Sequence, residues 1–122
     1  MRVWITFYLN QNSAILNSMK YEELASKEVV QKVIEGLKSR NVEGVFVENG
    51  MEAMAKIKEL IPAGVSVMNG ASVTLEQIGF VDYLKAGEHG WNNLHAAIVA
   101  EKDGPKQAEL RRQALISEYY LG

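Results

Sequence analysis

Residues 65–79 read VSVMNGASVTLEQIG, and this stretch decides the fold. Val65 to Met68 is an apolar run broken only by Ser66, the length of a short buried strand. Asn69, Gly70, Ala71 and Ser72 form a turn of small and polar residues. From Val73 to Ile78 the spacing is helical, and Gly79 ends it. Strand, small-residue turn and helix make the repeating unit of α/β proteins. Such a turn points free backbone N–H groups and the positive end of a helix dipole away from the strand. Ligands of open α/β sheets bind at that C-terminal edge.

The same alternation runs upstream. Ser26 is placed to cap a helix that continues to about Arg40, with Val29, Val30, Val33, Ile34 and Leu37 recurring near the helical period and Asn41 closing it. Val42 to Val47 reads as a strand with Gly44 inside it. Asn49-Gly50 is a turn, Met51 to Leu60 is helical, and Pro62 with Gly64 stops that helix. Val3 to Leu9 is a further apolar run, rich in β-branched and aromatic residues and read as a strand. A second reading makes Met19 the natural start and residues 1–18 additional.

Downstream, Phe80 to Leu84 makes another helical turn before Ala86-Gly87, and Trp91 to Glu101 is expected to be helical. Asp103-Gly104-Pro105 breaks the chain and places proline at a first helical position. Lys106 to Glu118 reads as the last helix, and Tyr119 to Leu121 as the start of a strand. The order predicts an α/β fold: part of a three-layer α/β/α sandwich on a mainly parallel sheet. In it the strands at 42–47 and 65–68 are expected to be parallel neighbours across helix 51–60, joined by a right-handed crossover.

Composition narrows the function. The 122 residues suit one domain. A 48% hydrophobic and 23% charged chain is an ordinary globular one, which argues against wholesale disorder. The 13 basic and 15 acidic residues are mixed along the chain without a basic block, so nucleic acid is not the expected partner. There is no cysteine, which removes disulfides, thiolate nucleophiles and cysteine-held metals and fits a reducing, cytoplasmic setting. The run at 3–9 is far shorter than the roughly 20 residues that span a bilayer. Asn10 to Ser13 offers a poor cleavage site for a signal peptide, so neither membrane nor secretion is expected.

One anion site is readable. Gly70 and Ala71 would let an anion approach the backbone near Asn69, and Ser72 and Thr74 add hydroxyls. The competing reading is that Ser72 caps the helix while Thr74 and Gln77 trim its first turn. A phosphate, carboxylate or CoA pyrophosphate could sit there; neither GxxxxGK[ST] nor GxGxxG is present, so no ATP-type loop or dinucleotide fingerprint is read and no cofactor is expected. His89 and His95, six apart, do not share a helical face, and no metal is expected. Glu76, His95 and Arg111 are pocket candidates: a carboxylate near the helix start, a polar ring near Asn92 and Asn93, and a cation able to meet an anion. Ordinary surface roles compete for each, such as pairing of Arg111 or Arg112 with Glu109 or Glu118. Trp91 and the Tyr119–Tyr120 pair read most simply as core or interface residues.

Residues 64–79, with NNLHAAIVAEKD at 92–103, LRRQALISEYYLG at 110–122 and the opening ELASKEVV at 23–30, resemble the lactate-utilisation (LUD) domain family. The resemblance covers roughly residues 20–122, and residues 1–18 do not share it. It implies a fold similar to CoA transferases, ribose-phosphate isomerase and glucosamine-phosphate deaminase. It also implies an accessory role in lactate or related organic-acid oxidation, as in a subunit that works beside iron–sulfur partners. An acyl-CoA or sugar-phosphate enzyme of the same fold and a non-catalytic interaction module are the alternatives. Family sequences continue beyond Leu121-Gly122 with further strands. The resemblance therefore implies a domain over 19–122 that lacks its C-terminal half, and a homo-oligomer or complementary chain that covers the sheet. Val3 to Leu9 is a candidate to fill part of that gap.

Overall fold

The computed structural model describes the backbone of residues 3–7 and the whole of residues 25–122. The expectations placed on Asn10 to Ser13 and on Met19 lie outside the described residues, as does most of segment 1–18. Two units divide the chain, residues 1–53 and residues 54–122.

In the first unit, β1 (Val3–Phe7) pairs in parallel with β2 (Glu43–Val47), Val3 opposite Glu43 and Phe7 opposite Val47. Helix α1 (Lys27–Lys38) lies between them in the chain. Ser26 caps it as expected, its Oγ accepting from the Val29 N–H at 3.4 Å. Asn41, at φ 58°, takes the left-handed conformation that asparagine tolerates and turns the chain into β2. Gly44 lets the helix come close: a Cβ there would sit 3.2 Å from Ile34 and 3.3 Å from Leu37. Val30, Ile34 and Leu37 are half-buried, whereas Val29 and Val33 remain about half exposed. The helix therefore uses only part of its apolar stripe.

Helix α2 (Gly50–Leu60) begins in the first unit, where Asn49 Oδ1 accepts from the Glu52 N–H at 3.0 Å and Glu52 Oε2 accepts from the Glu48 N–H at 2.9 Å. This reciprocal pair satisfies donors at the helix start.

The second unit holds a three-stranded parallel sheet of order β4-β3-β5, with β3 (Ser66–Asn69) in the centre, β4 (Asn92–Asn93) on one side and β5 (Tyr119–Leu121) on the other. Three expectations change here. The strands at 42–47 and 65–68 are not neighbours: β2 pairs with β1, and both sides of β3 are taken by β4 and β5. The β1 strand pairs with β2, so it does not extend β5. Trp91 to Asn93 is not helical, because Asn92 and Asn93 join β3 opposite Ser66 and Val67. Helix α5 (Leu94–Ala100) starts after them, with Asn93 as its cap.

Helices α3 (Val73–Gln77) and α4 (Phe80–Ala86) follow β3, and Gly79 at φ 82° and Gly87 at φ 75° frame α4. Helix α6 (Gly104–Ala114) opens on Asp103, whose Oδ1 accepts from the Lys106 N–H, with Pro105 in the first turn. It ends four residues earlier than the sequence suggests. The unit has two apolar groupings. Leu94 and Ile98 of α5 meet Ala114 of α6, with Met68 and Leu110 against them. Phe80, fully buried, lies with its ring 6.2 Å from that of Trp91, and the Trp91 Nε1–H donates to the Ile61 carbonyl at 3.1 Å. A buried indole N–H needs such a partner. His89 stacks on Trp91 and accepts from its backbone N–H at Nδ1, which makes His89 a structural histidine.

Candidate functional site

Strand β3 delivers the chain to the 69–74 turn at its C-terminal end. Ser72 is the cap of α3: its Oγ accepts from the Leu75 N–H at 3.4 Å, and its carbonyl accepts from the Glu76 N–H. Extended backbone at Ser72, φ −150° and ψ 118°, gives it that geometry. The Gly70 N–H donates to the Leu121 carbonyl at 2.8 Å and so continues the β3–β5 ladder. Donors open to a ligand therefore start at Ala71. Among the described residues, the N–H groups of Ala71, Ser72, Val73 and Thr74 meet no protein acceptor.

Asn69 is the unusual residue. It is 8% exposed, the buried polar side chain of this unit's core. Its Nδ2 donates weakly to the Gly70 carbonyl at 3.4 Å, which holds the amide against the turn. Its Oδ1 is buried with no hydrogen-bond partner among the described residues. Buried acceptors are nearly always paired, and an unpaired one costs about 1–3 kcal/mol. Sequence reasoning placed Asn69 in the turn but gave no sign that its amide would be buried and half-satisfied.

The other candidates lie as follows. Glu76 is exposed and lines an open groove with Val81, Asp82 and Lys85. Lys85 reaches Asp82 at 3.8 Å in that groove. His95 is exposed in the first turn of α5, whose buried side is Leu94 and Ile98. Arg111 is exposed in the last turn of α6, while Arg112 makes the surface pair with Glu109, Nε to Oε2 at 2.9 Å. Glu118 takes no arginine. Its Oε2 accepts from the Ser66 N–H at 2.8 Å and from Ser66 Oγ at 3.1 Å, and its own N–H donates to Ser66 Oγ at 3.0 Å. This clasp holds the starts of β3 and β5 in register. Tyr120, which the sequence left as core or interface, is 65% exposed, and its hydroxyl lies against Gly70.

The profile of the LUD domain matches residues 30–122, well over half of the chain. The chain belongs to the LUD domain family. No curated protein and no solved structure matches it. The 69–74 turn, α3 to α6 and all three strands of the second unit fall inside the LUD-matched region. Among the described residues no helix is long and apolar enough to cross a membrane. Among the same residues no three His, Asp or Glu side chains gather as metal ligands would.

Proposed function

We propose that this LUD-domain protein binds a small organic anion at Asn69, Gly70, Ala71, Ser72 and Thr74, as an accessory component of lactate or related organic-acid oxidation in the cytoplasm. The domain responsible starts near residue 19. The single observation that carries the reading is the run of open N–H groups at residues 71–74, beyond the C-terminal end of β3. A row of backbone donors calls for an anion. A small carboxylate would meet them, its oxygens facing residues 71–74. Gly70 contributes its lack of a side chain rather than its N–H, which Leu121 already holds.

The test is a titration of the chain with L-lactate and with propionate, which lacks the hydroxyl, followed through backbone amide NMR signals. Shifts are expected to gather on residues 71–74 with both acids, since the carboxylate is the group that the N–H donors meet. Shifts elsewhere, or none, would remove the site.

A second reading, an interaction module, has its own observation. Leu115 and Ile116, consecutive between α6 and β5, are 85% and 83% exposed. Adjacent bare aliphatic side chains favour a partner surface, either a second copy or a complementary chain.

A further inference from the structure

The dipeptide Asn-Gly occurs twice in the chain, at 49–50 and at 69–70. In this pair a backbone nitrogen readily attacks the asparagine side-chain amide, because glycine has no Cβ to hinder the close approach. The two copies meet opposite surroundings. Asn69 is buried, and the Gly70 N–H that would have to attack donates to the Leu121 carbonyl at 2.8 Å. Ring closure there requires the β3–β5 ladder to open first. Asn49 is exposed between β2 and α2, and among the described residues the Gly50 N–H meets no protein acceptor. It is one of the donors that a helix leaves free at its start. Asn49 Oδ1 accepts from the Glu52 N–H at 3.0 Å, which draws electrons from the Cγ carbonyl, and Nδ2 donates to Glu52 Oε1 at 3.2 Å. Both contacts are exposed and lie at a helix end, where fraying frees the amide.

We propose that Asn49 is a site of spontaneous modification, at which the folded chain turns asparagine into aspartate and isoaspartate while Asn69 is preserved. The Gly50 nitrogen gives its proton to solvent and bonds to Asn49 Cγ. The Cγ–Nδ2 bond breaks, and ammonia leaves with a proton returned from solvent. Water then opens the cyclic imide. Cleavage between Cγ and the nitrogen gives aspartate on an unaltered chain path. Cleavage between the main-chain carbonyl carbon and the nitrogen gives isoaspartate, with the chain rerouted through the side chain. Water enters, ammonia leaves, and nothing is oxidised or reduced. In the aspartate product a carboxylate faces that of Glu52 where an amide donor stood. Glu52 also accepts from the Glu48 N–H at 2.9 Å, so the new repulsion acts on the contact that ties the end of β2 to α2. In the isoaspartate product the rerouted chain no longer presents the side-chain cap to the Glu52 N–H.

The test incubates the full chain at mildly alkaline pH, folded and in parallel unfolded in guanidinium chloride. Peptides are then mapped by mass spectrometry, with aspartate and isoaspartate forms separated by chromatography. In the unfolded chain both copies should react at similar rates, which sets the intrinsic chemistry. In the folded chain Asn49 is expected to react at least about tenfold faster than Asn69, a barrier difference of about 1.4 kcal/mol. Isoaspartate should appear at position 49, as only the imide route produces it. Gly50→Ala, a change that favours a helix, should keep the fold and strongly slow the reaction at position 49. If Asn49 stays intact in the folded chain while it reacts in the unfolded one, the Glu52 contacts lock the amide and the proposal is overturned. Equal reaction at the two positions in the folded chain overturns it as well, since burial and the strand ladder would then decide nothing.

Discussion

Asn69 and Ser72 sit three residues apart at one turn and affect stability in opposite directions. Ser72 satisfies a donor of α3, so Ser72→Ala is expected to lower unfolding free energy by about 1 kcal/mol in denaturant titration. Asn69 buries an acceptor with nothing to accept, so Asn69→Leu, close in volume, should leave the chain at least as stable. A marked loss of stability would instead show that Asn69 supports the fold. Glu109 supplies the one pH statement. The hydrogen bond from Arg112 and then its charge hold the Glu109 carboxyl below its usual range, against a slight opposing effect of desolvation. A lowered carboxylate pKa stabilises the folded state above the unfolded-state value, and that contribution is lost as pH falls through the folded value. The pair is well exposed, so the effect on stability is small. Followed by NMR, Glu109 should titrate below its ordinary value in the unaltered chain and return to it in Arg112→Ala. An unchanged titration would mean that the pair does not persist in solution.

At the scale of elements, legibility followed the strength of the local signal. Ser26 and Ser72 announced their helices because a cap is a local contact, made within three residues of its own chain position, and Pro105 marked the start of α6. Strands β2 and β3 and the start of β5 were visible as β-branched or aromatic runs. Strand β4 was not, because two asparagines leave no alternation to read, and Asn92-Asn93 was absorbed into the helix that Asn93 in fact caps. Strand pairing was harder still. Nothing local in Val42–Val47 says that its partner precedes it in the chain, or that both sides of β3 are filled from later segments. The clasp between Ser66 and Glu118 joins residues 52 apart and leaves no trace in sequence spacing. It is testable as an element-level contact. Glu118→Ala removes the two hydrogen bonds that its carboxylate accepts and should cost about 1–2 kcal/mol. Loosened β3–β5 pairing should also speed hydrogen exchange of the Gly70 N–H, which donates to Leu121. Unchanged exchange at Gly70 would show that backbone pairing alone sets the register.

For the whole molecule, family membership and the partner surface come from different kinds of observation. The LUD match spans residues 30–122, and within it the turn, the small parallel sheet and its helices form the 54–122 unit. The residues of the candidate site all belong to that unit. What the unit leaves bare points outward. Leu115 and Ile116 share the link into β5, and Tyr120 follows on that strand, all well exposed. Apolar side chains scattered singly are normal on a surface, but two consecutive aliphatic residues each more than four-fifths exposed have little to gain from water. A second copy of the chain would cover them, and association should then depend on concentration. Sedimentation over a wide concentration range is expected to show a species larger than the monomer at the upper end. The double variant Leu115→Glu with Ile116→Glu should remove it, since two buried charges without partners oppose an interface strongly. Folding should be untouched, because neither side chain packs in the core. A monomer at every concentration in the unaltered chain would rule out self-association through this surface and leave a complementary chain as the occupant to seek.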